Sequence, residues 1–511
     1  MKKTILFTIV VLCCMSNVYA VVTWNGTTKT AWTQGSGTEA DPFIISSPNH
    51  LAYLAQQVNA GTTYAGVYFK QTQDFNLNNK TWTSIGTTTY KFAGNYDGGE
   101  NIISNLKNGL FGYIANASLK NLTIDGTYSG SGNSMFVSYT DGATEISNCH
   151  NKSTSSGSIS ANIFGCIVGK AEGTSITIEN CSNQGNVQAE GYKSDSYLGG
   201  IIGYSSATTT LKNCYNSGDI KMSCSIGSYG DYQKYYVHAA GLIGYLTVNS
   251  TIDQCYNAGS VTAYGSSSNA TSGVGTYAYG LSGSSYSTDI VQTITRCYNT
   301  GNITSSAGGY GASSYLYALC ARGELTACYV ANCNLTATST NNYSTNYIRF
   351  GGKTIESCYY AGSQSVEISG SNAYSNSPSN EGTAFYKSDE ALKAPSMIPL
   401  LNMLDEYFTM DYEGINGGYP ILKWQAGTRY NISATCDANR GSVTGGGEYP
   451  NGYTATLTAT PKNGCTFVGW SDGNTDNPRT VTVSGEASYI AQFTKSSYII
   501  YVNQDCTGNI E

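Results

Sequence analysis

Leu211-Lys-Asn-Cys214-Tyr-Asn-Ser-Gly218-Asp-Ile220 returns 41 residues later as Ile252-Asp-Gln-Cys255-Tyr-Asn-Ala-Gly259-Ser-Val261. It returns again, 42 residues further, as Ile294-Thr-Arg-Cys297-Tyr-Asn-Thr-Gly301-Asn-Ile303. Working outward, seven cysteines follow an Ile or Leu by three positions: Cys149, Cys181, Cys214, Cys255, Cys297, Cys328 and Cys358, separated by 32, 33, 41, 42, 31 and 30 residues. In the four best copies Gly stands four after the cysteine (Gly185, Gly218, Gly259, Gly301) and Val or Ile six after it (Val187, Ile220, Val261, Ile303). A second motif precedes the cysteine by about eleven residues, as Gly200-Ile-Ile-Gly203 and Gly241-Leu-Ile-Gly244. Its weaker forms are Gly109-Leu-Phe-Gly112 and Gly280-Leu-Ser-Gly283.

A unit this short cannot bury its own apolar face, so copies must stack. The pattern predicts a coil of two or three short strands per repeat, with neighbouring coils paired in parallel about 4.8 Å apart. Asn and Gly at fixed offsets suit corners that need left-handed backbone angles. The cysteines read as an interior ladder of small apolar groups. Disulfide bonding is the alternative in an oxidising compartment, although Cβ vectors in a parallel ladder point alongside one another. No pair has the Cys-x-x-Cys spacing of a zinc site.

Residues 1–20 read as a secretory signal: Lys2 and Lys3, an apolar run from Ile5 to Cys14, then Val18-Tyr19-Ala20 before the cut. Lipidation at Cys13 or Cys14 would need a small preceding residue and would bisect the apolar run. No later stretch approaches the ~18 apolar residues of a span, so no membrane insertion is expected. Of 511 residues only 12% are charged, against a usual ~25%, while Gly numbers 59 and Tyr 43. The formal charge is −7, or −9 without Lys2 and Lys3, and no Lys/Arg cluster offers a nucleic-acid footprint. Three histidines, His50, His150 and His238, leave few neutral-pH acid–base groups or metal ligands.

The open ends of a solenoid need covers. Leu51, Leu54, Ala55 and Val58 share one helical face within Pro48–Asn59, an amphipathic cap. A second candidate, Ser388–Leu404, is broken by Pro395 and Pro399 and runs on to Gly417-Gly-Tyr-Pro-Ile-Leu-Lys-Trp424.

Together with Phe92-Ala-Gly-Asn-Tyr-Asp-Gly98, the Gly-Leu-Ile-Gly strands and this closing segment resemble bacterial surface proteins carrying the GLUG motif, over about Trp24 to Gln425. The resemblance implies a right-handed parallel β-helix exposed outside the cell, and no activity, since such repeats serve as stalks and adhesive modules. In one group of relatives they precede a zinc protease that cleaves immunoglobulin A. No His-Glu-x-x-His occurs in this chain, so that activity does not carry over. From Arg429, alternating segments (Tyr430-Asn-Ile-Ser-Ala-Thr, Gly452-Tyr-Thr-Ala-Thr-Leu, Thr466-Phe-Val-Gly-Trp470, Tyr489-Ile-Ala-Gln-Phe493) read as strands. They are similar to the internalin B-repeat, with Trp470 and Phe493 as its core. Tyr498-Ile-Ile-Tyr-Val-Asn looks like the start of a second copy.

The expectation is an all-β chain: 1–20 signal peptide, 21–95 N-terminal cap and first coils, 96–377 β-helix, 378–428 C-terminal cap and linker, 429–495 repeat domain, 496–511 a partial repeat or tail. Its expected place is secreted or on the outer cell surface.

For chemistry, a glycoside hydrolase needs two carboxylates facing one cleft, ~5–10 Å apart. Glu172, Glu179, Glu190, Asp195, Asp219, Asp231, Asp253, Asp289, Glu324 and Glu356 stand at unequal offsets with no recurring pair, so no catalytic residue, metal or cofactor is expected. Asp472-Gly-Asn474-Thr-Asp476-Asn477 starts like a calcium loop. It lacks the glycine at the sixth position and the Glu at the twelfth, and reads as a turn. The 41- and 42-residue intervals carry Tyr-rich insertions before the next Gly-x-x-Gly, and insertions at one phase of a solenoid emerge on one side. Tyr229, Tyr232, Tyr235, Tyr236, Tyr264 and Tyr277, with Tyr310 and Tyr315 in the next coil, are the candidate ligand-binding residues. Tyr/Gly/Ser loops supply rigid amphipathic contacts with adaptable hydrogen bonds, suited to an extracellular glycan or a host or surface protein. Two other readings stand beside this one: a polysaccharide-processing enzyme, and a stalk whose tyrosines only shield the coil.

Overall fold

The computed structural model describes residues 21–495, except 131, 227–233, 269–272, 286–289, 310, 340–344, 352–353, 362–365, 370–371 and 376–383. The signal segment and the start of a second repeat lie outside the described residues. Contacts divide the chain into two compact units, Met1–Asp389 and Glu390–Glu511.

The first unit is a parallel β-helix. Three sheets run along it, with 20, 7 and 13 strands among the described residues. One coil shows the path. Thr208–Lys212 and Tyr215–Asn216 lie on the first sheet, Ile220–Ile226 on the second, Tyr235–Ala240 and Ile243–Leu246 on the third. The chain then re-enters the first sheet at Ser250–Asp253. This coil thus has five short strands, and the coil of Gln292–Cys320 has four, where two or three were expected, because the motifs bend strands in two. Pairing between coils is parallel and in motif register: Leu211 faces Ile252, Asn216 faces Asn257, Ile220 faces Val261. The 41- and 42-residue intervals both keep this register; the extra residues of the 41-residue one enter between the second and third sheets, and the 42-residue one also adds residues between the third sheet and the next strand of the first.

The Cys-Tyr-Asn motif divides its labour differently from the sequence expectation. Left-handed backbone falls on the residue just before the cysteine: Asn148, Asn180, Asn213, Gln254, Arg296, Ala327 and Ser357 have φ of 50–55°. The motif asparagine is instead buried and extended. Asn151, Asn183, Asn216, Asn257 and Asn299 are fully buried, and each of the first four donates its amide to the next one's carbonyl oxygen at 2.6–2.8 Å. Each amide of the last four also donates to the carbonyl of the glycine two residues on, at 2.8–3.0 Å. That glycine is required by proximity and not by φ. A Cβ on Gly218, Gly259 or Gly301 would lie 2.0–2.1 Å from the carbonyl oxygen of the glycine one coil back.

The seven motif cysteines are fully buried free thiols. Their sulfurs serve the ladder: the backbone N–H groups of Cys149, Cys214 and Cys255 each donate to the next coil's Sγ at 3.3 Å. Burial pushes the thiols of Cys181, Cys255, Cys297, Cys328 and Cys358 well above the ordinary range, so they stay protonated. Earlier coils fill the interior with rings: Phe69, Phe92 and Phe111 pack in sequence, tilted to one another, with centroids 6.1 and 5.3 Å apart.

The expected helix over Pro48–Asn59 forms. Helix α1 (Pro48–Asn59) begins at Ser47, whose hydroxyl accepts from His50 N–H, and buries Leu51, Ala52, Leu54, Ala55 and Val58. No helix among the described residues is long and apolar enough to cross a membrane.

In the second unit, Ser388–Leu404 becomes two short helices, Asp389–Leu392 and Met397–Asn402. The segment after them packs on the repeat domain: Tyr412 contacts the rings of Tyr449 and Tyr453, and Glu413 pairs with Arg429 at 2.5 Å. The domain has a four-stranded and a three-stranded sheet around Ile432, Leu457, Trp470 and Phe493. At the calcium-like turn, Arg479 donates to both carboxylate oxygens of Asp472 at 2.7 and 2.9 Å. The turn therefore already holds a cation, the protein's own.

Candidate functional site

Alternation places every second residue of the third sheet outside. Along Tyr235–Ala240, Tyr235, Val237 and Ala239 enter the core, while Tyr236, His238 and Ala240 face away from it. Aligned coils then line up aromatic rings on the outer face. One row is Tyr197, His238, Tyr277 and Tyr315, in direct register. Its ring centroids are 5.2, 4.7 and 4.6 Å apart with planes within 30°, 8° and 8°. A second row is Tyr113, Tyr139, Lys170, Tyr204 and Tyr245. Tyr113 and Tyr139 stack at 4.5 Å, and the Lys170 ammonium sits 5.6 Å from the Tyr204 ring centre. The rows meet where Tyr197 lies 4.9 Å from Tyr245 and 5.5 Å from Tyr204.

Polar groups border this junction. Asp195 accepts from Tyr236 N–H at 2.9 Å and from the Tyr197 hydroxyl at 3.4 Å. Glu172 pairs with Lys170 at 2.6 Å and raises its pKa. Burial, with Asp195 adding to it, raises the Tyr197 phenol, which therefore remains a neutral hydroxyl donor. His238 is buried, 3.0 Å from the Tyr279 hydroxyl through Nδ1, and burial lowers its pKa to about 3. It is a neutral ring at physiological pH, part of the stack and not a proton carrier.

Of the candidate tyrosines, Tyr229, Tyr232 and Tyr310 lie outside the described residues. The other five stand on strands and not on emergent loops, because the extra residues partly lengthen the flanking strands. Tyr235 belongs to the core. Tyr264 is exposed but on the second sheet, opposite Ser223 and Ser306. Tyr236, Tyr277 and Tyr315 are brought together on the third sheet, Tyr236 edge-on to Tyr277 at 5.9 Å. Sequence reasoning missed Tyr113, Tyr139, Tyr197, Tyr204, Tyr245 and His238. A signal was present: Tyr113, Tyr204 and Tyr245 directly follow the second glycine of Gly-x-x-Gly, and Tyr197, His238 and Tyr277 precede the first by three.

Stacked rings occlude one another's faces. The half-buried Tyr113, Tyr139, Tyr197, Tyr204 and Tyr245 therefore offer solvent their edges and hydroxyls. Among the described residues no cluster of His, Cys, Asp and Glu could hold a metal ion.

No curated protein matches the chain. A crystal structure of a proposed immunoglobulin A1 protease from Bacteroides ovatus aligns with 77% of this chain and 95% of its own, at 17% identity and a TM-score of 0.39. That likeness is too low to carry any argument. Two family models match short segments: the GLUG motif at residues 194–221, and the divergent InlB B-repeat domain at residues 430–497. The chain thus carries, in its parallel β-helix, a segment similar to the GLUG motif and, after it, one similar to the divergent InlB B-repeat domain, both repeat families typical of bacterial surface proteins.

Proposed function

We propose that the protein is a non-enzymatic binding module of the bacterial exterior, and that the outer face of its third sheet holds an extended glycan. The observation that carries this reading is the meeting of the two aromatic rows at Tyr197, Tyr204 and Tyr245, bordered by Asp195, Lys170 and Glu172. Ring edges and phenol hydroxyls at regular spacing give a polymer repeated weak contacts, with acids and a cation to take its hydroxyls. Such contacts are rigid before binding, so little side-chain entropy is lost.

The test is a glycan array with the wild type and with Tyr197→Ser/Tyr204→Ser/Tyr245→Ser. Retention of a polysaccharide by the wild type and its loss in the variant, with unchanged β circular dichroism, is the expected result. Undiminished retention by the variant would sink the proposal. Release of reducing ends or unsaturated sugars by the wild type would instead establish an enzyme. Replacing Tyr235 is a poor test, because it removes a core side chain.

A further inference from the structure

We infer that Tyr113, Tyr139, Lys170, Tyr204 and Tyr245 form a row of five subsites along the solenoid axis, for five successive sugars of a neutral, unbranched glycan. The inference rests on the third-sheet reading and deepens it, by naming the ligand's class, direction and length.

These residues stand at one phase of five successive coils and pair in direct register. Each is half-buried, so an edge and a polar tip reach solvent at every coil. In the other row His238 and Tyr277 are only 4% and 6% exposed, so that row supports the face and offers a ligand little. Parallel coils repeat every ~4.8 Å, close to the length one pyranose adds to an extended chain. A glycan lying along the axis therefore meets an equivalent group at each sugar. One lying across the coils would leave the row after a single contact.

The row has two marked ends. Before Tyr113, the chain between the bridges of Ile85 with Phe111 and of Phe92 with Ile114 leaves the sheet in a turn, with Thr87 N–H donating to Tyr90 O at 2.7 Å. After Tyr245 the register shifts, and only Gly283 stands opposite Gly244 and Tyr245. A Cβ on Gly283 would lie 2.6 Å from the Tyr279 ring, so no side chain continues the row there. Between the ends lie four steps, or ~19 Å.

Charge selects the class of sugar. Asp141 and Glu172 stand two residues past Tyr139 and Lys170, on the same side of their strands. Lys91 pairs with Asp141 at 2.5 Å and Lys170 with Glu172 at 2.6 Å. Lys170, the one cation of the row, is thus already engaged, and a sugar carboxylate laid along the row would face two carboxylates with no free ammonium on the row to receive it. A sugar hydroxyl, by contrast, finds a donor and an acceptor in each pair. Burial raises the phenols of Tyr113 and Tyr245, which stay protonated donors at neutral pH.

The probes are cello- and manno-oligosaccharides of two to eight sugars and oligogalacturonates of the same lengths, titrated calorimetrically against the full chain. Affinity for a neutral series should rise about two- to tenfold per added sugar, the return of roughly one net hydrogen bond, and level off at five. Oligogalacturonates should bind at least about tenfold more weakly at equal length, the effect of like charges brought together. Tyr113→Ser/Tyr139→Ser, which clears two positions at one end, should move the plateau from five sugars to three. Asp141→Asn/Glu172→Gln should narrow the gap between the acidic and the neutral chains. A wild-type plateau at three sugars or fewer, a gain that continues past six, or a preference for oligogalacturonate would each overturn the inference while leaving glycan binding by the face intact. Binding of no series, or undiminished binding in Tyr197→Ser/Tyr204→Ser/Tyr245→Ser, would refute the third-sheet reading and this inference with it.

Discussion

Replacing Asn216 by Ala tests whether the asparagine ladder holds successive coils in register. The side chain takes part in three hydrogen bonds, all buried. It accepts from Asn183 at 2.7 Å, and donates to Asn257 and to Gly218 O, each at 2.8 Å. Asn183 keeps its bond to Gly185 O at 2.9 Å after the change, so its amide is only half deprived. The Oδ1 of Asn257 and the carbonyl of Gly218 lose the donor seen here. Each orphaned buried group costs about 1–3 kcal/mol, which puts the total near 3–5 kcal/mol. The control is Thr251→Ala, an exposed position on the first sheet, expected within about 0.5 kcal/mol of wild type. Urea unfolding followed by circular dichroism gives the loss in midpoint. Hydrogen exchange read by mass spectrometry locates it, because a stacked repeat array opens locally. Faster exchange should centre on the strands Tyr215–Asn216 and Tyr256–Asn257. A cost below about 1 kcal/mol, or exchange no faster there than in the control, would refute the reasoning.

Gly218→Ala places a methyl 2.1 Å from Gly185 O; two backbones must separate, and a loss of more than about 2 kcal/mol in the same unfolding assay is expected. A loss under 0.5 kcal/mol, roughly the level of a neutral surface change, would show that the coils give way freely. Iodoacetamide on the native protein, mapped by mass, should leave the seven motif cysteines unmodified and, among the described cysteines, react first at the half-buried Cys436 and Cys465; rapid labelling of Cys255 would contradict the sealed ladder. His238 has a folded pKa of about 3 against an ordinary 6.5, so between those values the unfolded chain binds a proton that the fold refuses. Its contribution is complete above pH 6.5 and falls as pH drops, by about 2 kcal/mol at pH 5. His238→Phe should flatten the midpoint of unfolding between pH 7 and 5, and an unchanged slope would refute the assignment.

The recurrence of Ile/Leu-x-x-Cys-Tyr-Asn-x-Gly was enough to read a stacked parallel coil, since only stacking gives one residue type a reason to return at a fixed place. The same recurrence could not say which residue served which need. Asn is common at left-handed corners and also in buried amide ladders, and the motif uses both: Asn213 at the bend, Asn216 in the ladder. Helix α1 was legible because four apolar residues share a face behind a Ser-Pro start. The aromatic face was half legible. Tyrosines were sought where the spacing swells, yet the rows run through coils of every length. What places Tyr204 beside Tyr245 is an offset of one from a glycine, a weaker signal than an insertion. Tyr235 and Tyr236 are indistinguishable by composition and opposite by fate, because alternation sends neighbours to opposite sides of a sheet.

The asparagine ladder also has a mechanical consequence. Its bonds run from coil to coil, along the direction in which the solenoid grows. A pull along that direction loads successive ladder steps in series, so the weakest coil yields while the rest stay closed. One step, from Asn183 to Asn216, frees 33 residues, or about 110 Å of extended chain at ~3.3 Å each. A protein held at one end on a cell and gripping a surface through its coils would lengthen in such increments under load, each dissipating work before the grip itself is strained.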